Sequence, residues 1–186
     1  MADSLEVMRA EKVTTFRQFL KHLDDLWRRC GHQAPILRYR TMDDWEQYPV
    51  IVCRLERRYP SEGVNEKKPR LRTMLHDADN PSRSVRLMGQ MFDHRVLFNI
   101  IAKSAEEADR LVDDFELFME TYKDDFVRMG VRLWFEEQLA DDVETSWRDP
   151  VVVRPLYYIV RLDRIRPEFV GRLNRIDLDY ELIKKE

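Results

Sequence analysis

Cys30-Gly31-His32 and His76-Asp77-Ala78-Asp79 are the two places where the sequence brings metal-ligating side chains together. Zinc sites pair their ligands in short spacings, and neither cluster has a second pair at such a distance. They read as a helix terminus and a solvated turn. Adjacent acids at Asp113-Asp114, Asp124-Asp125, Glu136-Glu137 and Asp141-Asp142 suggest the carboxylate dyad of general acid–base catalysis. Sequence neighbours point apart on helices and strands alike, so solvated faces explain these pairs better. His94 falls on an apolar strand face, where a hydrogen-bonded core histidine is a simpler reading than a base. The five glycines form no GxGxxG or GxxxxGK(S/T) phosphate loop, and no serine occupies a G-x-S-x-G elbow. No catalytic residue, metal ligand or cofactor is assigned, and the chain is not expected to be an enzyme.

The feature with functional weight is a run of cations: Lys67, Lys68, Arg70, Arg72, Arg83 and Arg86, around a turn-like Asp77-Ala78-Asp79-Asn80-Pro81. Six cations could meet phosphates, but the run lacks the interleaved aromatics of single-strand binders and any helix-turn-helix or zinc-finger context. Acidic surface on a neighbouring subunit, such as Asp113, Asp114 and Glu116 or Asp141, Asp142 and Glu144, suits it better.

These residues need elements to position them. Phe16, Phe19, Leu20, Leu23, Leu26, Trp27 and Cys30 recur at steps of three and four, predicting a helix over about 15–30, with Thr15 and Gln18 as a capping box and Gly31 as its left-handed stop. Residues 49–57 predict a first strand, apolar on both faces early and alternating later. Residues 61–88 show no sustained period and read as a projecting β-arm or loop. Over 90–102 the even positions Phe92, His94, Val96, Phe98 and Ile100 share one strand face. Ser104 and Glu107 open a second helix, whose stripe of Ala108, Leu111, Val112, Phe115, Phe118, Met119, Tyr122 and Phe126 predicts a principal core element. Strands follow at 131–139 and about 151–165, where Pro155 marks a bulge, an edge or the true start at Leu156. After Pro167, Ile176, Leu178, Tyr180 and Leu182 alternate with charged residues, predicting a short strand without an obvious partner in the domain.

The expected fold is therefore α+β: a mixed, mostly antiparallel four-stranded sheet flanked by two main helices. One domain is expected over residues 1–167, carrying the basic loop 61–88, followed by an extension over 168–186. With 32 basic and 35 acidic residues, the formal charge of −3 gives no whole-chain attraction to nucleic acid. A charged content of 36 % beside 44 % hydrophobic residues places the surplus charge on surfaces and interfaces. Two cysteines make a disulfide framework improbable, and neither a signal peptide nor a membrane span is evident, so synthesis in a reducing cytoplasm is expected.

The stretch FNIIAKSAEEADRLVDDFELFMETYKDDFVRMGVRLWFEEQLADD, then Trp147, the VVVRPLYYIVRLDRI strand and a charged tail, resembles the tail terminator or tail completion proteins of tailed-bacteriophage necks. With the preceding helix and strand, the resemblance covers residues 13–166. It implies a virion protein, made in the host cytoplasm, that forms a homo-oligomeric ring, usually hexameric. Such a ring caps the tail tube and joins it to the head-side connector. The implied partners are its own copies, the tail tube protein, a head–tail connector or neck protein and the sheath protein of contractile tails; contact with DNA is transient at most, and no membrane is involved. No catalytic residues carry over. The expected contacts with neighbouring subunits or partners are Lys67, Lys68, Arg70, Arg72, Arg83, Arg86, Ile176, Leu178 and Tyr180. Another head–tail connector or baseplate protein, or a DNA-binding accessory protein using the basic loop, are the alternatives.

Overall fold

A computed structural model describes residues 14–38, 48–61, 68–76, 83–140, 142–144 and 151–171. Its elements are α1 (Phe16–Arg29), β1 (Ile36–Leu37), β2 (Val50–Pro60), β3 (Arg70–His76), β4 (Arg83–Ala102), α2 (Ala105–Thr121), α3 (Lys123–Arg128), β5 (Val131–Gln138), β6 (Asp142–Glu144) and β7 (Val151–Gly171). The fold is α+β with a mixed sheet. Its strand order is β1-β2-β4-β7-β5, with β3 also paired to β4 and β6 to β7. β1 runs parallel to β2, while the β2–β4, β3–β4, β5–β7 and β6–β7 pairs are antiparallel.

The four expected strands are β2, β4, β7 and β5, contiguous in that order. The expected total of four is too low, because the described residues alone give the sheet seven strands. β1 and β6 are two and three residues long, too short to show a period. β3 escapes sequence reading because residues 70–74 are exposed throughout, so no inward set of apolar residues exists to alternate. Within the 61–88 segment it pairs antiparallel with the start of β4, from Arg70 opposite Gly89 to His76 opposite Ser84.

The chain divides into two compact units, one running to Lys68 and resuming over Gln90–Arg164, the other comprising Pro69–Gly89 and the residues from Ile165 onward. In the first unit both helix starts behave as expected. The Thr15 hydroxyl accepts from the Gln18 N–H and the Gln18 side-chain Oε1 accepts from the Thr15 N–H, while the Ser104 hydroxyl accepts from the Glu107 N–H. Glu107 itself reaches one residue further back than a capping box requires, accepting from the Lys103 N–H. Gly31 and Gly130, at φ 90° and 78°, hold the left-handed turns that close α1 and α3. The helical stripe expected to run unbroken to Phe126 is interrupted at Tyr122, whose φ and ψ of −98° and 13° end α2. α3 nevertheless keeps Phe126 buried.

Both long helices lie on one face of the sheet. Phe19, Leu23 and Trp27 of α1 and Phe115, Phe118 and Met119 of α2 meet Ile51, Cys53, Val96, Phe98, Ile100, Tyr158 and Val160 of the strands in one core. Trp27 sets α1 in place: its indole N–H donates to the Ala34 carbonyl at 2.7 Å, and its ring meets Phe115 and Phe118 edge-on at 5.7 and 5.0 Å. On the opposite face, among the described residues, Val50, Ile101 and Val151 form a small second cluster. Pro155, expected at a bulge, edge or strand start, lies inside β7 where its partner changes from β6 at Val153 to β5 at Leu156. A missing N–H costs no ladder bond at that changeover.

Candidate functional site

The expected contact residues are only partly described. Lys67, Ile176, Leu178 and Tyr180 lie outside the described residues, and of Arg83 only the backbone, which opens β4, is described. Lys68, Arg70, Arg72 and Arg86 are exposed on or beside the β3–β4 hairpin. Arg86 stands opposite Met74 in the ladder. The side chain of Arg72 occupies the space that a Cβ at Gly89 would need, so this glycine lets an arginine lie flat across the hairpin.

A second constellation, absent from the sequence reading, lies on the sheet face without helices. At its centre Arg95 of β4 bonds Glu136 at 2.6 Å through Nε and Glu137 through Nη2, and lies 3.7 Å from Glu56. Its guanidinium stacks 3.8 Å above the Tyr157 ring, and the Tyr157 hydroxyl donates to Glu56 at 2.7 Å. Arg54 closes the network on Glu56 at 2.8 Å. Beside it Arg161 binds Asp93 through two nitrogens, at 2.6 and 2.9 Å, and lies 5.0 Å over Trp134. Two bulges help assemble this face, one at Leu55/Arg57 of β2 and one at Phe135/Glu137 of β5. The second brings both Glu136 and Glu137 to one arginine, although strict alternation would send them to opposite faces. The pair is solvent-exposed, as the solvated-face reading expects, but its two members converge on one arginine instead of pointing apart.

Electrostatics lock the network. The Tyr157 hydroxyl holds the Glu56 carboxyl below its ordinary value, helped by Arg54 and Arg95 and opposed by burial. Glu136 pushes Arg95 further up, and burial followed by Glu56 raises Tyr157. Every carboxylate in it is already engaged by a cation or hydroxyl, an arrangement that fixes geometry rather than one that holds a proton ready for transfer.

The chemically suggestive residues are engaged as well. The His94 imidazole stacks on Phe16 at 5.4 Å with its Nδ1–H directed to the Val160 carbonyl at 3.1 Å. It borders a cavity of about 210 Å³ lined also by Thr14, Thr15, Arg58, Leu162, Asp163 and Arg164. His32 stacks on Trp27 at 3.6 Å, and Cys30 is exposed, so the Cys30-Gly31-His32 cluster serves the end of α1. Burial pushes the Cys53 thiol up to about 12, leaving it an inert core residue. Among the described residues no group of three His, Cys, Asp or Glu side chains could hold a metal ion, and no helix is long and apolar enough to cross a membrane.

The third feature is β5 itself. It stands last in the strand order, so one of its edges has no strand partner among the described residues. Trp134, Phe135 and the following Leu139 are 38 %, 46 % and 43 % exposed there. No protein-family model matches this chain, and no curated protein matches it.

Proposed function

We propose that this chain is a structural protein of a tailed-bacteriophage virion, the tail terminator by preference, whose copies form a ring that caps the tail tube and joins it to the head-side connector. The supporting observation is the outer edge of β5, which has no strand partner among the described residues and beside which Trp134 and Phe135 are exposed. Isolated folds guard such edges with lysine, proline or short length, because an open edge recruits another chain. In a ring subunit it is an assembly surface. The locked charge network on the adjacent sheet face suits the same role, since fixed complementary charges steer association and reject wrong partners.

The family assignment itself rests on the resemblance over residues 13–166, which implies a hexamer and contacts with tube, connector and, in contractile tails, sheath protein. Another connector or baseplate protein is the nearest variant. A DNA-binding accessory protein is the reading from a different class, favoured by the exposure of Lys68, Arg70, Arg72 and Arg86. One experiment separates them: light scattering and negative-stain microscopy of the full chain, alone and mixed with purified tail tubes, beside retention on DNA across a salt series. Rings, free or at tube ends, are expected. A chain that neither self-associates nor binds tubes, and whose DNA retention falls steeply with salt, would sink the ring reading in favour of the accessory protein.

A further inference from the structure

We infer that the outer edge of β5 receives residues 174–182 of a second copy of this chain, added as an antiparallel strand. This rests on the ring reading and deepens it by naming both halves of the subunit contact.

The edge calls for a particular partner. Arg132 is exposed on β5 and stands opposite Arg161 in the β5–β7 ladder. Arg161 is already bound by Asp93, whereas no carboxylate among the described residues pairs with Arg132. Like charges directly opposite repel, so Arg132 is best served by an acid arriving on the open side of its strand. Next to it Trp134 and Phe135 offer exposed ring surface, one on each face of the strand.

Residues 174–182 answer both demands. Ile176, Leu178, Tyr180 and Leu182 alternate with Asp177, Asp179 and Glu181, a period of two with one apolar side. Laid antiparallel on β5 with Leu178 beside Leu133, the segment puts Ile176 beside Phe135 and Tyr180 beside Val131. The same register sets Asp179 against Arg132 and Arg175 against Glu136. Reversing the direction about the Leu178–Leu133 pair sets Glu181 against Glu136, a like-charge pair. A slip of one residue sends the apolar set to the other face. The antiparallel register satisfies packing and charge together.

Chain connectivity requires that the segment come from another molecule. β5 is antiparallel to β7, so a strand antiparallel to β5 runs parallel to β7. Parallel strands in one sheet need a connection of about a dozen residues or more. β7 ends at Gly171, which leaves only residues 172 and 173 before the segment begins. A second copy has no such restriction. Passed from subunit to subunit, a head-to-tail contact of this kind builds a ring when its rotation closes.

The test uses full-length chains carrying Arg132→Asp, Asp179→Arg, or both, with self-association followed by light scattering alone and with purified tail tubes. Each single reversal is expected to weaken association about fivefold, and the double exchange to restore it to within about twofold. Leu178→Asp, which puts a charge on the apolar side, is expected to abolish association at concentrations where the unaltered chain assembles. A circular dichroism melt of Arg132→Asp should match that of the unaltered chain, because Arg132 is exposed and stands opposite another arginine. Undiminished assembly in the single variants, or no restoration in the double, overturns the β5 contact and leaves the ring reading standing. An unaltered chain that assembles neither alone nor on tubes overturns both.

Discussion

His94 shows how a residue that looks chemical becomes structural. Its imidazole is held below its ordinary value of 6.5 chiefly by burial, with the Val160 carbonyl opposing that shift and the Arg58 cation reinforcing it. Asp93, beside it on β4, favours the cation, and Asp163 and Arg164 of β7 line the same cavity. A folded value below the unfolded one means the unfolded state binds more protons between the two. The stability is therefore complete above 6.5 and is lost as pH falls through the folded value. Urea midpoints compared at about pH 7.5 and about pH 5 should drop in the unaltered chain and drop less in His94→Phe, which keeps a ring on Phe16. Equal drops would mean that other groups carry the acid sensitivity. The strand-face position of His94 was legible from the period of two. Its partners were not, because Phe16 and Val160 lie far from it in sequence and meet it only across the fold.

At the scale of elements, helices were more legible than strands. α1 and α2 announce themselves by local signals: a capping residue, a stripe at steps of three and four, and a glycine after α1. Leu117 shows how well the stripe discriminates, being 64 % exposed on a helix whose Phe115 is fully buried. Phe115 touches Trp27, Phe98 and Tyr158 at ring-centroid distances of 5.7, 5.1 and 6.0 Å. Phe115→Ala should cost about 3–5 kcal/mol in urea unfolding, against under about 0.5 kcal/mol for Leu117→Ala. Comparable losses would overturn the assignment of the helix face. β3 and β6 were missed because a strand's partner, unlike a helix's hydrogen bonds, is not in the local sequence. The bulge in β5 that gathers Glu136 and Glu137 onto Arg95 is invisible for the same reason.

At the scale of the whole molecule, the main core cluster belongs to the first compact unit: none of its described residues falls within Pro69–Gly89. Replacing that hairpin with a short turn from Lys68 to Gln90 should leave cooperative thermal unfolding with a midpoint within about 5 °C of the unaltered chain. Loss of cooperativity would show the hairpin to be part of the folding unit. The sequence by itself determined the α+β class, the two amphipathic helices with their caps, the four main strands and the inward sets of β4 and β7. All of these follow from period, propensity and end signals acting within about twenty residues. Only the tertiary structure decided that β7 lies between β4 and β5, that β5 has one edge without a strand partner among the described residues, and that Arg54, Glu56, Arg95, Glu136, Glu137 and Tyr157 form one network. Strand order and cross-strand charge pairing are properties of which segments meet, and residues as far apart as Glu56 and Tyr157 carry no local trace of their meeting.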